Sequence, residues 1–158
     1  MDKITPRTKP RKIMAIASGG GHWVQMRRIM PAFEGSDVFY VSVDPSSAAD
    51  VPGRTYYTIR DVSRRDRFGF AVLIGQLARI LARERPDVVI TTGSAPCLFA
   101  LGMAKSLLRA RTIWIDSIAN AERLSASGAK AGHVADVWLT QWEHLARPGG
   151  PDYWGAVL

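Results

Sequence analysis

A single cysteine, Cys97, stands among the 158 residues, so no disulfide can form within the chain. The histidines, His22, His133 and His144, are scattered, and no Cys/His cluster has metal-ligand spacing. Neither a metal nor a cofactor is implied. No apolar run approaches the ~20 residues of a membrane span. The basic, proline-punctuated start is followed by no apolar run of leader length. The expectation is a cytoplasmic chain that does not cross a bilayer. Two nucleotide signatures are missing as well. After Gly19 and Gly21 comes His-Trp-Val, without the third glycine of a dinucleotide loop, and the lysine loop of NTPases is absent. Acidic side chains are the minority: 14 Asp and Glu face 21 Lys and Arg, a net charge of +7. That balance suits an anionic partner such as a pyrophosphate or an acidic membrane surface. Aromatics do not interleave with the arginines and no nucleic-acid motif occurs, so nucleic acid is not the expected partner.

What is present reads as alternating strands and helices. Residues 1–11 read as a basic flexible arm and 12–158 as one domain. Strands are expected at 12–18, 37–43, 54–59, 87–91, 112–115 and, last, 137–141, with a loop at 48–53. Helices are expected at 22–33, 68–85 (stopped by Pro86) and 96–109. Near-continuous Val/Ile strands are those of a parallel sheet covered on both faces. Strands alternating with helices make right-handed βαβ units. The expected fold is α/β, a three-layer Rossmann-like parallel sheet. Ligands of such sheets sit at the carboxyl ends of the strands.

Three loops leave such ends. The first, Ser18-Gly19-Gly20-Gly21-His22, joins a strand to a helix. Its glycines expose bare backbone, and the helix amides beyond favour an anion. His22 adds a group that moves a proton near neutral pH and is the candidate general base; capping or packing at the helix start is the other reading. The second loop, Thr92-Gly93-Ser94, offers another backbone cradle. The third starts at Asp116 and Ser117 and carries Asn120, Glu122 and Arg123. Asp116 is a candidate to orient a sugar hydroxyl, pair with His22 or act as base; capping the segment at Ser117 is the alternative. Ser117, Asn120 and Glu122 are candidate acceptor ligands. Cys97, amid apolar neighbours, reads as a small buried hydrophobe.

Two further regions stand out. Residues 68–81 (FGFAVLIGQLARIL) place Phe70, Leu73, Ile74, Leu77 and Leu81 at helical spacing, while Phe68 and Val72 fall off that stripe and Arg79 and Arg83 follow it. Packing against the sheet and contact with a bilayer interface through Phe68, Phe70, Val72, Leu73, Arg79 and Arg83 are both open. Residues 96–108 are more evenly apolar and read as mostly core. Gln141 and Trp142 close the expected last strand, and with Trp154 are candidates for docking a partner protein.

Taken in order, ASGGGHWVQMRRIMPAF, PDVVITTGSAP, IWIDSIANAERLSASG and ADVWLTQWEHL with a terminal DYWG resemble the PssD/CpsF-type polysaccharide-biosynthesis proteins. They are also similar to the membrane-anchoring subunit of the dolichyl-diphosphate N-acetylglucosamine transferase and, more distantly, to the acceptor-side domain of MurG-type glycosyltransferases. The resemblance implies the N-terminal, acceptor-side half of a split GT-B enzyme. It implies a separate partner subunit holding a UDP-sugar and a lipid-pyrophosphate-linked saccharide as acceptor at the cytoplasmic face of the plasma membrane, in exopolysaccharide or capsule synthesis. A two-domain enzyme of this kind needs about twice this length. The resemblance puts Gly19–Gly21 and His22 near the acceptor pyrophosphate and attacking hydroxyl, with Thr92–Ser94 as the second loop. Asp116 stands where such proteins usually have Glu, and Asn120 where they more often have Arg, so the third loop departs from the pattern. The implied mechanism is inverting transfer with His22 as base, helped by Asp116. Two rivals remain: a non-catalytic adaptor that anchors and activates the donor-binding subunit, and an independent nucleotide-binding module.

Overall fold

A computed structural model describes residues 9–63 and 65–157. Residues 1–8 of the expected arm lie outside them. Among the described residues, seven strands form one sheet: β1 (Lys12–Ile16), β2 (Asp37–Ser42), β3 (Tyr56–Thr58), β4 (Val88–Thr91), β5 (Arg111–Ile115), β6 (Val137–Thr140) and β7 (Asp152–Tyr153). Their order is β3-β2-β1-β4-β5-β6-β7, and every neighbouring pair is parallel. The helices are α1 (Gly21–Ile29), α2 (Arg67–Glu84), α3 (Ala95–Leu108) and the short α4 (Gly128–Ala131).

Alternation along β1 splits the core in two. Met14 and Ile16 pack with Phe39, Val41 and Val89 beneath α2 and α3. Ile13, Ala15 and Ala17 pack with Tyr40 and Ile90 beneath Trp23 and Met26 of α1. The period-2 geometry of a strand produces this division, and two buried faces explain why the strands read as unbroken apolar runs. The three-layer expectation is met.

Local chemistry sets the helix ends. The Asp66 carboxylate accepts from the Gly69 amide at 2.7 Å and starts α2. Arg85, left-handed at φ +46°, ends it before Pro86. α1 is shorter than expected, because Pro31 lies within a 3-10 turn, Met30–Phe33. The expected loop at 48–53 overlaps another 3-10 turn, Pro45–Asp50, capped by Asp44. The strand at 137–141 is not the last: β7 adds to the sheet edge beside β6. Two residues are too short to give a periodic signal.

Glu84 ties three elements together at the amino end of β1. Its carboxylate pairs with Lys12 at 2.5 Å and accepts from the Tyr57 hydroxyl at 2.5 Å. The bond to Lys12, then that to Tyr57, holds Glu84 below the usual carboxylate range. A depressed carboxylate stabilises the fold above its unfolded pKa, and that contribution is lost as pH falls through the folded pKa. Glu84→Gln is therefore expected to cost about 1 kcal/mol at neutral pH. The cost shrinks as pH falls below the ordinary carboxylate range and through the depressed pKa of the folded Glu84, where the wild-type carboxylate becomes protonated too; urea titrations at several pH values measure it.

Candidate functional site

Strand order reverses between β1 and β4, and the loops leaving their carboxyl ends diverge to opposite faces of the sheet. That geometry opens a crevice. Two hydrogen bonds span it. The Thr92 hydroxyl donates to the His22 carbonyl at 2.6 Å, and the His22 Nδ1 lies 2.9 Å from the Thr92 carbonyl. A carbonyl only accepts, so in the neutral ring Nδ1 carries the proton and Nε2 is the basic nitrogen. The expected general base is thus held in the tautomer that a base acting through Nε2 requires.

The second loop is shaped around that ring. A Cβ at Gly93 would stand 2.7 Å from His22 Cε1 and 2.8 Å from Nδ1, and Gly93 has φ +126°. No other residue fits there. Ser94 follows at φ +95° and ψ 155° without being glycine. Such a residue stores about 1–3 kcal/mol of strain, of the kind concentrated at ligand sites. Its hydroxyl lies 3.1 Å from the Cys97 sulfur. Burial pushes the Cys97 thiol up, against the opposing hydrogen bonds of Ser94, Thr91 and the Ser18 backbone, so it is an inert wall.

Two helices begin at this crevice. α1 starts after Gly20 (φ +65°) and α3 after Ser94, and neither has a side chain capping its first amides. Nothing lies within 4 Å of where a Cβ would sit on Gly20 or Gly21, so the backbone there is open to a ligand. A Cβ on Gly19 would instead touch that of Asp44 at 3.3 Å. Uncapped helix N-termini favour a negative group, and here two of them serve one crevice.

Asp116 does not form the pair with His22 that was one of its expected parts. It is 2% exposed, and its carboxylate accepts from the Ser125 hydroxyl (2.7 Å), the Ser125 amide (3.0 Å), the Asn120 amide group (3.1 Å) and the Trp114 indole (3.2 Å). These four donors spend its acceptor capacity inside its own loop, in place of a pairing with His22. Gly128 lacks the Cβ that would collide with the Asp116 carboxylate. Asp116 organises the loop that holds Ser117 and Asn120 at the crevice side. Ser117 is buried and accepts from Gln25 of α1, while Glu122 is exposed. Gln25 gave no sequence signal, since its partners lie some ninety residues away.

The surface residues also divide. Leu73 is 0% exposed and belongs to the core, because the buried stripe of α2 is Gly69, Leu73, Leu77, Ile80 and Leu81; it cannot contact a membrane. Phe70 turns inward and meets Phe99 edge-on at 4.7 Å. Val72 is half-buried, whereas Phe68, Arg79 and Arg83 are exposed. α3, expected as mostly core, exposes Phe99 (42%) and Leu107 (65%). A cavity of about 470 Å³ lies between α2 and α3, lined by Val62, Phe70, Leu73, Pro96 and Phe99, with Arg67 at its polar side. Ala95 and Pro96 in its wall directly follow Ser94, so it adjoins the crevice. Among the docking candidates, Gln141 is 3% exposed and offers no surface; Trp142 is half-buried, its indole donating to the Ile118 carbonyl at 2.8 Å. Only Trp154, 71% exposed, stands free to meet a partner.

Ser94→Gly is expected to raise unfolding free energy by about 1 kcal/mol, because relieved strain outweighs the extra freedom glycine has when unfolded; urea unfolding measures it. Nitrogen-15 NMR of the neutral ring of His22 should show the Nδ1–H tautomer, and Thr92→Val should loosen α1 from β4 without changing which nitrogen is protonated.

The fold recurs in solved structures. The chain superimposes on Acinetobacter baumannii MurG with TM-score 0.74 at 15% identity, over 93% of this chain and 45% of that one. It matches a UDP-GlcNAc 2-epimerase from Methanocaldococcus jannaschii with TM-score 0.59 at 15% identity, over 82% of this chain and 39% of the epimerase. The chain thus spans less than half the length of either protein, and the likeness is one of GT-B-type fold. Two relatives share more sequence. Each is named UDP-N-acetylglucosamine transferase subunit ALG14. The Yarrowia lipolytica protein is 25% identical over 89% of this chain and 78% of its own length. The Eremothecium gossypii protein is 26% identical over 89% and 77%. The family model described as "Oligosaccharide biosynthesis protein Alg14 like" matches residues 68–157, more than half of the chain, and the chain belongs to that family.

Proposed function

We propose that this chain is the acceptor-side adaptor of a two-subunit glycosyltransferase. It would anchor a separate UDP-sugar-binding subunit at the membrane, complete it, and present a lipid-pyrophosphate-linked saccharide to it. The observation that carries this reading is the adjacency of two surfaces. One is the crevice, where two uncapped helix starts suit a pyrophosphate. The other is the apolar cavity and the exposed Phe68, Phe99 and Leu107, which suit a lipid and a bilayer interface. A lipid pyrophosphate has these two chemistries side by side. Arg67 at the start of α2 and Arg79 and Arg83 toward its end are exposed and add positive charge along the same helix. Both curated relatives are named as transferase subunits, which supports a function exercised with a second chain. No helix among the described residues is long and apolar enough to cross a membrane, so attachment through these residues would be peripheral.

The geometry of His22 favours a second, catalytic reading. With Nδ1 on the Thr92 carbonyl, Nε2 is left to take a proton from the acceptor hydroxyl as it attacks the sugar's anomeric carbon, while the nucleoside diphosphate leaves with the bonding electron pair. The attack comes from the face opposite the leaving group, so configuration inverts. Asp116 has no place in this step beyond holding its loop.

The experiment is reconstitution of the chain with its donor-binding subunit and a lipid-linked acceptor. The adaptor reading predicts that removing the chain abolishes transfer. Transfer by the donor-binding subunit alone at the full rate contradicts it. His22→Ala then separates the two readings: loss of about 100-fold or more in kcat assigns the base to His22, and an unchanged kcat leaves the chain an adaptor. Changing Phe68, Phe99 and Leu107 together to serine is expected to cut binding to anionic phosphatidylglycerol vesicles by about tenfold or more. Sedimentation measures it.

A further inference from the structure

Two glutamines are buried where a helix, a loop and the C-terminal segment meet. Gln25 on α1 is 5% exposed and Gln141 at the end of β6 is 3% exposed. A primary amide in such a place is destabilising unless its donors and acceptors are matched. Here they are matched by four separate parts of the chain. The Gln25 Oε1 accepts from Gln141 Nε2 at 2.7 Å and from the Ile118 amide at 3.3 Å. Its Nε2 donates to the Ser117 hydroxyl at 3.0 Å. Gln141 Nε2 also donates to the Asp116 carbonyl at 2.9 Å, and its Oε1 accepts from the Val157 amide at 2.8 Å. Arg28, on the same helix as Gln25, donates to the Val157 carbonyl at 3.4 Å.

Residues 116–118 are thus held at three points by the amide pair, and the far end of that pair is held by Val157. Apolar side chains of equal volume would fill the space without fixing any orientation. A matched amide pair fixes it, because turning either amide breaks bonds on both sides. Between Val157 and Ile118 the connection runs through two side chains only.

We propose that Gln25 and Gln141 are positioning residues that carry the placement of the C-terminal segment to the loop at 116–122. A subunit that engages the exposed Trp154 thereby sets a loop that it does not touch. The link to acceptor binding rests on the function proposed above, whereas the coupling itself does not.

Hydrogen exchange on the full chain tests the coupling without any activity. Val157→Pro deletes the amide that Gln141 holds, and Val157→Ala keeps it. Exchange at the Ile118 and Ser125 amides is expected to be at least about fivefold faster in the proline variant than in the alanine variant, with β1 and β4 unchanged. Equal exchange in the two variants overturns the proposal and leaves the proposed function standing. In the reconstituted pair, Val157→Pro is expected to raise the acceptor KM by about threefold or more relative to Val157→Ala, with the donor KM unchanged. An unchanged acceptor KM overturns the acceptor link. A pair that transfers no sugar even with the wild-type chain removes the proposed function instead, and the exchange result still decides the coupling.

Discussion

The reciprocal hydrogen bonds between His22 and Thr92 are the constraint on which the rest of the site depends. They join the first turn of α1 to the loop after β4 across the point where strand order reverses. Either loop alone is a flexible connection. Joined, they fix one imidazole tautomer and aim the starts of α1 and α3 into a common space. The local structure shows the cost. Position 93 accepts only glycine because the ring fills the place of its Cβ, and Ser94 keeps a backbone conformation that its side chain disfavours.

Around this junction the polar interior is arranged as a set of ties. Asp116 gathers Trp114, Asn120 and Ser125 and so folds the third loop onto itself. Gln25 and Gln141 tie that loop to α1 and to the C-terminal segment. Trp142 and His144 hold its outer side, donating to the Ile118 and Ala121 carbonyls at 2.8 Å and 2.6 Å. A loop this long would be mobile without such partners. The buried polar groups therefore serve to hold the crevice rim in one arrangement, while the two apolar cores supply the bulk of the burial.

Much of this could be read from the chain beforehand, for physical reasons that also explain the failures. Continuous apolar strands announce a parallel sheet, and the glycine run before His22 announces a bare strand-to-helix turn. Both signals are local. Asp116 is legible as the residue that follows a strand, but its partners Ser125 and Trp114 come together only through the folded loop. Leu73 belongs to two stripes in a helix with a wide apolar face, and only packing decides between them. α3 is apolar nearly all round, so periodicity gives it no phase; Phe99 and Leu107 emerged on its outer side once the sheet had claimed Cys97, Ala100, Leu101 and Ala104. Gln25 lies on a short helix whose buried side includes Trp23 and Met26, and nothing nearby in sequence explains a buried amide.

The central claim is that the crevice between β1 and β4 receives the phosphate-linked end of an acceptor. Chemical-shift mapping with a short-chain lipid pyrophosphate bearing one sugar tests it most directly. The account predicts saturable shifts at the amides of Gly20, Gly21, His22, Gly93 and Ala95, with smaller changes along the Phe70–Phe99 groove. Saturable binding that leaves these amides unmoved, and shifts another part of the surface, would contradict it.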